Sequence, residues 1–105
     1  MAESIAHKVA KHRAAGRAGK TEVPVRGGRR LDALTPGGRA TEVERSGNTR
    51  ALQAAANRLK VSRAKQKVLQ VPQHDMDKAA SAMREVGVSG TVKNMKGTKR
   101  RYVDS

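Results

Sequence analysis

Three of the nine carboxylates in this chain, Asp32, Glu42 and Glu44, fall within residues 32–44. They lie on two apolar-alternating stretches, "RRLDAL" and "RATEVER", that flank "TPGG", where proline and glycine supply turn chemistry. A three-residue loop, Pro36-Gly37-Gly38, with Gly38 left-handed in a G1 bulge, pairs Thr35 with Arg39. That register sets Asp32 opposite Glu42, Arg30 opposite Glu44 and Leu34 opposite Ala40, all on one sheet face. A two- or four-residue loop would pair Asp32 with Thr41 and part the carboxylates.

Carboxylates directly opposed on neighbouring strands sit about 5 Å apart at Cβ and repel. Either one holds a proton or a cation neutralises them. A hard divalent ion, Mg²⁺ or Mn²⁺, suits such a pair, with water and phosphate oxygens completing its shell. There it can polarise a phosphodiester and generate the attacking hydroxide. The plainer reading is also open: Arg30–Glu44 as an ordinary cross-strand pair, with Asp32 and Glu42 tied to Arg29, Arg39 or Arg45.

The elements that would position these groups follow from pattern. "SIAHKVAKHRAAG" predicts a first helix capped by Ser4, with Ile5, Ala6 and Val9 inward and Gly16 at its end. Residues 1–20 as a flexible basic arm is the alternative. "TEVPVRG", interrupted by Pro24, predicts an edge strand or a strand end. After the hairpin, Thr49 to about Val61 predicts a helix capped by Ser46 or Asn48, with Leu52, Ala55, Ala56 and Leu59 as its stripe. "KVLQV" is a strand stopped by Pro72. "HDMDKAASAMREVG" is a helix capped by Asp75 and terminated by Gly87, with a stripe of Met76, Ala79, Ala80, Met83 and Val86. "GTVKNM" and "KRRYV" close the chain as two strands. The expected fold is α/β, a small mixed sheet flanked by helices in the order α-β-β-β-α-β-α-β-β, in one domain over residues 1–105.

Composition narrows the partners. The chain of 105 residues carries 23 Lys and Arg against 9 Asp and Glu, a formal charge of +14. The excess is spread along it, eight cations against two acids in residues 1–30 and fifteen against seven in 31–105. Such a field attracts nucleic acid in a salt-sensitive way. No basic amphipathic helix has the bulky apolar face needed to enter a membrane, and no apolar run approaches the ~20 residues of a span. Without cysteine there is no disulfide framework, thiolate metal site or thiol nucleophile. The N-terminus lacks a signal-peptide core, so a cytoplasmic protein is expected. His7, His12 and His74 show no metal-ligand spacing and read as surface residues, and Gly27-Gly28 and Gly37-Gly38 are not phosphate loops. "KGTKRRY", in the basic C-terminal end at 96–105, can grip a phosphate backbone while Tyr102, the only aromatic, stacks on a base or fills the core.

"RRLDAL…ATEVER" resembles the core of the restriction-endonuclease-like nucleases, the PD-(D/E)xK superfamily, which includes Holliday junction resolvases. Their pattern is an acid on the second strand, acid–any–Lys on the third, then a helix and another strand, and the likeness covers residues 4–86. It implies a restriction-endonuclease-like fold and metal-dependent hydrolysis of DNA, with Asp32 and Glu42 holding Mg²⁺ or Mn²⁺. Glu44 stands where the family usually has the lysine that orients the attacking water, though some restriction enzymes carry glutamate there. It would act as a base or touch the metal. Arg45 points to the other face and cannot replace the lysine, and "LDAL" lacks the proline that precedes the family's aspartate. Related nucleases place a glutamine near the metal, which matches Gln53, one turn before Asn57 on the polar side of its helix. Glu3 or Glu22 would add a carboxylate.

Arg29, Arg30, Arg39, Arg45, Lys96, Lys99, Arg100 and Arg101 are the expected phosphate contacts. A homodimer is expected if both strands or a junction are cut. Two other readings stand beside the nuclease: a non-catalytic nucleic-acid-binding protein, architectural or regulatory, and a module for an acidic protein partner.

Overall fold

Six strands form one mixed sheet flanked by three helices in a computed structural model of the chain. It describes residues 5–16, 19–25 and 29–105, the side chains of residues 25 and 29–31 excepted. The elements are α1 (Ile5–Ala15), β1 (Lys20–Val25), β2 (Arg29–Leu34), β3 (Arg39–Val43), α2 (Thr49–Val61), β4 (Gln66–Val71), α3 (Met76–Val86), β5 (Gly90–Asn94) and β6 (Arg100–Val103), with a 3-10 turn before α3. The strands lie side by side in chain order; β3, β4 and β5 are parallel, and the other neighbours antiparallel. Pro24 sits on the edge strand β1, where its missing N–H costs the sheet least.

The two crossovers place α2 and α3 together on one face. Leu52, Ala55, Ala56 and Leu59 of α2 and Ala79, Ala80 and Met83 of α3 are all fully buried against Ala40, Leu69, Val71 and Val92. The Asn48 side chain caps α2 by accepting from Ala51 N at 3.1 Å. Gly87, left-handed at φ 85°, ends α3 with bonds back to Met83 and Arg84. Asp75 precedes α3 but does not cap it; no cap bond forms, and its buried carboxylate lies against Gly47 instead.

The other face is only partly covered. α1 packs on β1, β2 and β3, and the buried residues there (Ala10, Ala15, Ala33, Val43) are separate from the main cluster. Contrary to the sequence reading, Ile5 and Val9 point outward, at 81% and 42% exposure, while Ala10, Lys11 and Ala15 are buried. The thin stripe misled because small alanines let this helix lie close to the sheet, and the longer aliphatics fit only on its outer side. Ser4, Glu3 and Gly27-Gly28, each given a role or weighed above, lie outside the described residues. No described helix is long and apolar enough to cross a membrane.

Candidate functional site

The hairpin takes the bulged loop. Thr35 N donates to Arg39 O, Gly38 N to Thr35 O, and Gly38 is left-handed at φ 88°. Pairs Leu34–Ala40 and Ala33–Thr41 follow, and the next step brings Asp32 level with Glu42. There the ladder changes. Asp32 N donates to Glu42 Oε2 at 2.7 Å, and Val43 N donates to Asp32 Oδ2 at 2.8 Å. Each carboxylate has taken the place of a backbone carbonyl, so β2 and β3 part at this level. Arg30 and Glu44 form no ladder pair. β3 ends at Val43, short of the expected Arg45, and Glu44 N turns to Gln70 O of β4.

A row of acids crosses three strands here. Thr21–Ala33 and Val23–Leu31 pair between β1 and β2, which sets Glu22 at the level of Asp32. Glu22 is the one non-glycine described residue with positive φ, at 53°, and its carboxylate pairs with the buried Lys11 Nζ. His7 Nε2 of α1 lies 3.4 Å from Asp32 Oδ2. Read from sequence as a surface residue, His7 is half-buried. From α2, Arg58 Nε pairs with Glu42 Oε1. The acids Glu22, Asp32 and Glu42 are thus met by Lys11 and His7 from one helix and Arg58 from another.

Burial governs the ionisation of Asp32 and Glu42. Glu42 is fully enclosed, and burial, with the Asp32 charge adding to it, pushes its carboxyl up to about 7 against the pull of Arg58. Asp32 is raised as well, by burial, with the Val43 amide and the charges of His7, Lys11 and Arg58 opposing. Three of the four oxygens of the Asp32–Glu42 pair are already held by protein donors. A hard divalent cation needs those oxygens, and the Arg58 guanidinium occupies its electrostatic place. In this arrangement the pair does not fit Mg²⁺ or Mn²⁺. Among the described residues no group of three His, Asp or Glu is placed to hold a metal.

The remaining expected residues separate. Gln53 Nε2 donates to Glu85 Oε2 at 2.6 Å, which ties α2 to α3 and leaves the amide engaged away from the carboxylate pair. Glu44 is half-buried and accepts from Ser46 N at 3.0 Å in the loop before α2. Arg101 lies on the α3 side, paired with Asp77. Lys99 enters the β5–β6 turn, its backbone N–H donating to Asn94 Oδ1. The side chains of Arg29 and Arg30 lie outside those described.

Arg39, Arg45, Lys96 and Arg100 gather elsewhere. Register and period two put Arg39, Gln66, Thr91, Lys93, Arg100 and Tyr102 on the face that carries α1, beyond the strands α1 covers. Arg39, Lys65, Lys93, Arg100 and Tyr102 line a cleft of about 400 Å³ there. A second, of about 450 Å³, runs between α1 and the β5–β6 turn past Arg13, Arg45, Lys93 and Lys96. Among the described residues no Asp or Glu lines either cleft, and Lys93 belongs to both. The Lys93 ammonium is depressed by burial, and further by the like charges of Arg100 and Arg39. Lys93 was missed in the sequence because its role comes from the register of β5 against β6.

Protein-family models, curated proteins and solved structures give no match to the chain. Its two candidate centres, the acid row and the open basic face, are therefore read from their own geometry.

Proposed function

We propose that the protein is a nucleic-acid-binding protein whose contact surface is the open basic face over β3–β6. The observation that carries this is the cleft lined by Arg39, Lys65, Lys93, Arg100 and Tyr102, with no carboxylate among the described residues of its walls. Phosphate contacts need cations that are not already paired with acids. Three acids, Glu22, Asp32 and Glu42, are drawn off into the row beneath α1 and α2, away from this face. Within this reading the protein works in the cytoplasm as a binder, architectural or regulatory, and the Asp32–Glu42–Arg58 network holds the fold.

The metal-dependent nuclease is the second reading, favoured by one observation: the α-β-β-β-α-β order delivers Asp32 and Glu42 face to face where two strands part. Catalysis would require Arg58 to leave Glu42. One assay separates the two. Linear, single-stranded and branched DNA are incubated with the protein and Mg²⁺, Mn²⁺ or EDTA. The binder shifts the mobility of these DNAs at about 0.1 M salt and leaves them intact, with affinity falling as salt rises. Metal-dependent cutting that is lost in Asp32→Ala and Glu42→Ala would replace the binder with the nuclease.

A further inference from the structure

Tyr102 is the only aromatic residue in a chain without Phe or Trp, yet it is 68% exposed. A core this short of bulky side chains would gain from burying it, but the register of β6 turns it outward. It stands in the row Thr41–Val68–Thr91–Tyr102, one row from Val43–Gln70–Lys93–Arg100. Its ring is therefore presented on the sheet surface beside Arg100 on its own strand and Lys93 on the next. Arg39 reaches the same cleft from β3.

We infer that this face binds single-stranded nucleic acid, the backbone phosphates lying along Arg39, Lys93 and Arg100 and one unpaired base stacked on Tyr102. The inference rests on the nucleic-acid reading above and names the form of the ligand. Charge alone would not separate single strand from duplex, because both present phosphates. The aromatic does. In a duplex each base is stacked on its neighbours and its π-face is hidden, whereas an unpaired base offers that face to a ring on an open sheet. Arg39, Lys93 and Arg100 repel one another, and their like charges add to the burial that depresses the Lys93 ammonium. A bound phosphate relieves the repulsion. An acidic peptide would satisfy the cations, but it gives no reason for an exposed tyrosine among them.

The test is fluorescence anisotropy at about 0.1 M salt with four labelled probes: a single-stranded DNA, an RNA of the same sequence, the DNA duplex and an abasic single strand. Wild type, Tyr102→Ala and Tyr102→Phe are compared, with thermal unfolding recorded for each to establish that the exposed substitution leaves the fold intact. Wild type should prefer the base-bearing single strands to the duplex. Tyr102→Ala should weaken the base-bearing strands by about 5- to 100-fold. It should leave the duplex and the abasic strand within about twofold, and Tyr102→Phe should restore binding. Comparing DNA with RNA shows which sugar is preferred. Tyr102→Ala weakening every probe equally, or none, would overturn the single-strand inference while the basic-face reading survives. Wild type binding no probe would overturn both.

Discussion

Replacing Arg58 with alanine should cost about 3–5 kcal/mol at pH 8, because it strands a buried carboxylate without its cation. Glu42 is fully enclosed, and Arg58 is its only basic contact among the described hydrogen bonds. Denaturant unfolding measures the loss, and its pH dependence identifies the cause. The Glu42 carboxyl is raised from 4.5 to about 7 in the folded protein. Between those values the folded state holds more protons on this group than the unfolded chain does. Its contribution to stability is therefore greatest at low pH and declines as pH rises through that window. Asp32, also raised, acts in the same direction. Without Arg58 the carboxyl rises further, so Arg58→Ala should be less harmful at pH 5, where Glu42 is protonated in the fold. The difference should be about 1 kcal/mol, since pH 8 lies only about one unit above the folded value. Adding Glu42→Gln should flatten the pH dependence and recover part of the loss at pH 8. A cost below about 1 kcal/mol at pH 8, or an equal cost at both pH values, would show that the pair is solvated and the network unimportant.

The second large effect belongs to the open face. Arg39→Gln, Lys93→Gln and Arg100→Gln together should lower single-strand affinity about 100-fold at ~0.1 M salt. Each phosphate contact contributes about 0.7 to the log–log salt slope for a single strand, so three amount to about two decades between 1 M and 0.1 M salt. The slope itself should shrink by about two. Burial depresses the Lys93 ammonium and the like charges of Arg100 and Arg39 add to it, so the triple variant should fold at least as well as wild type. The control is Arg63→Gln, Lys78→Gln and Arg84→Gln, exposed residues on or just after α2 and α3. It removes the same net charge and should change affinity only a few-fold. Equal losses in both triple variants would mean that overall charge, not this face, does the binding.

Much of the fold was legible because its signals are local. The α2 stripe is complete in four residues, and of the loops open to Pro36-Gly37-Gly38 the bulged one forms, which gives the register expected of it. The level of Asp32 and Glu42 was therefore correct from sequence. Their burial was not legible, since it comes from two helices closing on the sheet from opposite sides. Arg58 flanks its apolar stripe one turn after Ala55, a position equally common on solvated faces, so nothing local marked it as the partner of Glu42. The helix α1 itself was legible, but its inward face was not, for a related reason: three small or amphipathic residues, Ala10, Lys11 and Ala15, are the buried ones, and hydrophobicity pointed to Ile5 and Val9. The basic face was half visible. Arg39 and Arg100 were expected phosphate contacts, but only strand order brings them beside Lys93, and only the extent of α1 leaves that area open.

The central claim is that nucleic acid meets this protein on the uncovered sheet face and not at the carboxylate row. Amide NMR shifts of the labelled full chain, titrated with a short single-stranded oligonucleotide, locate the contact directly. The largest changes should fall on Gln66, Thr91, Lys93, Arg100 and Tyr102, with the amides of Asp32, Glu42 and Arg58 little moved. Changes centred on Asp32, Glu42 and Arg58, with β4–β6 unaffected, would contradict the account.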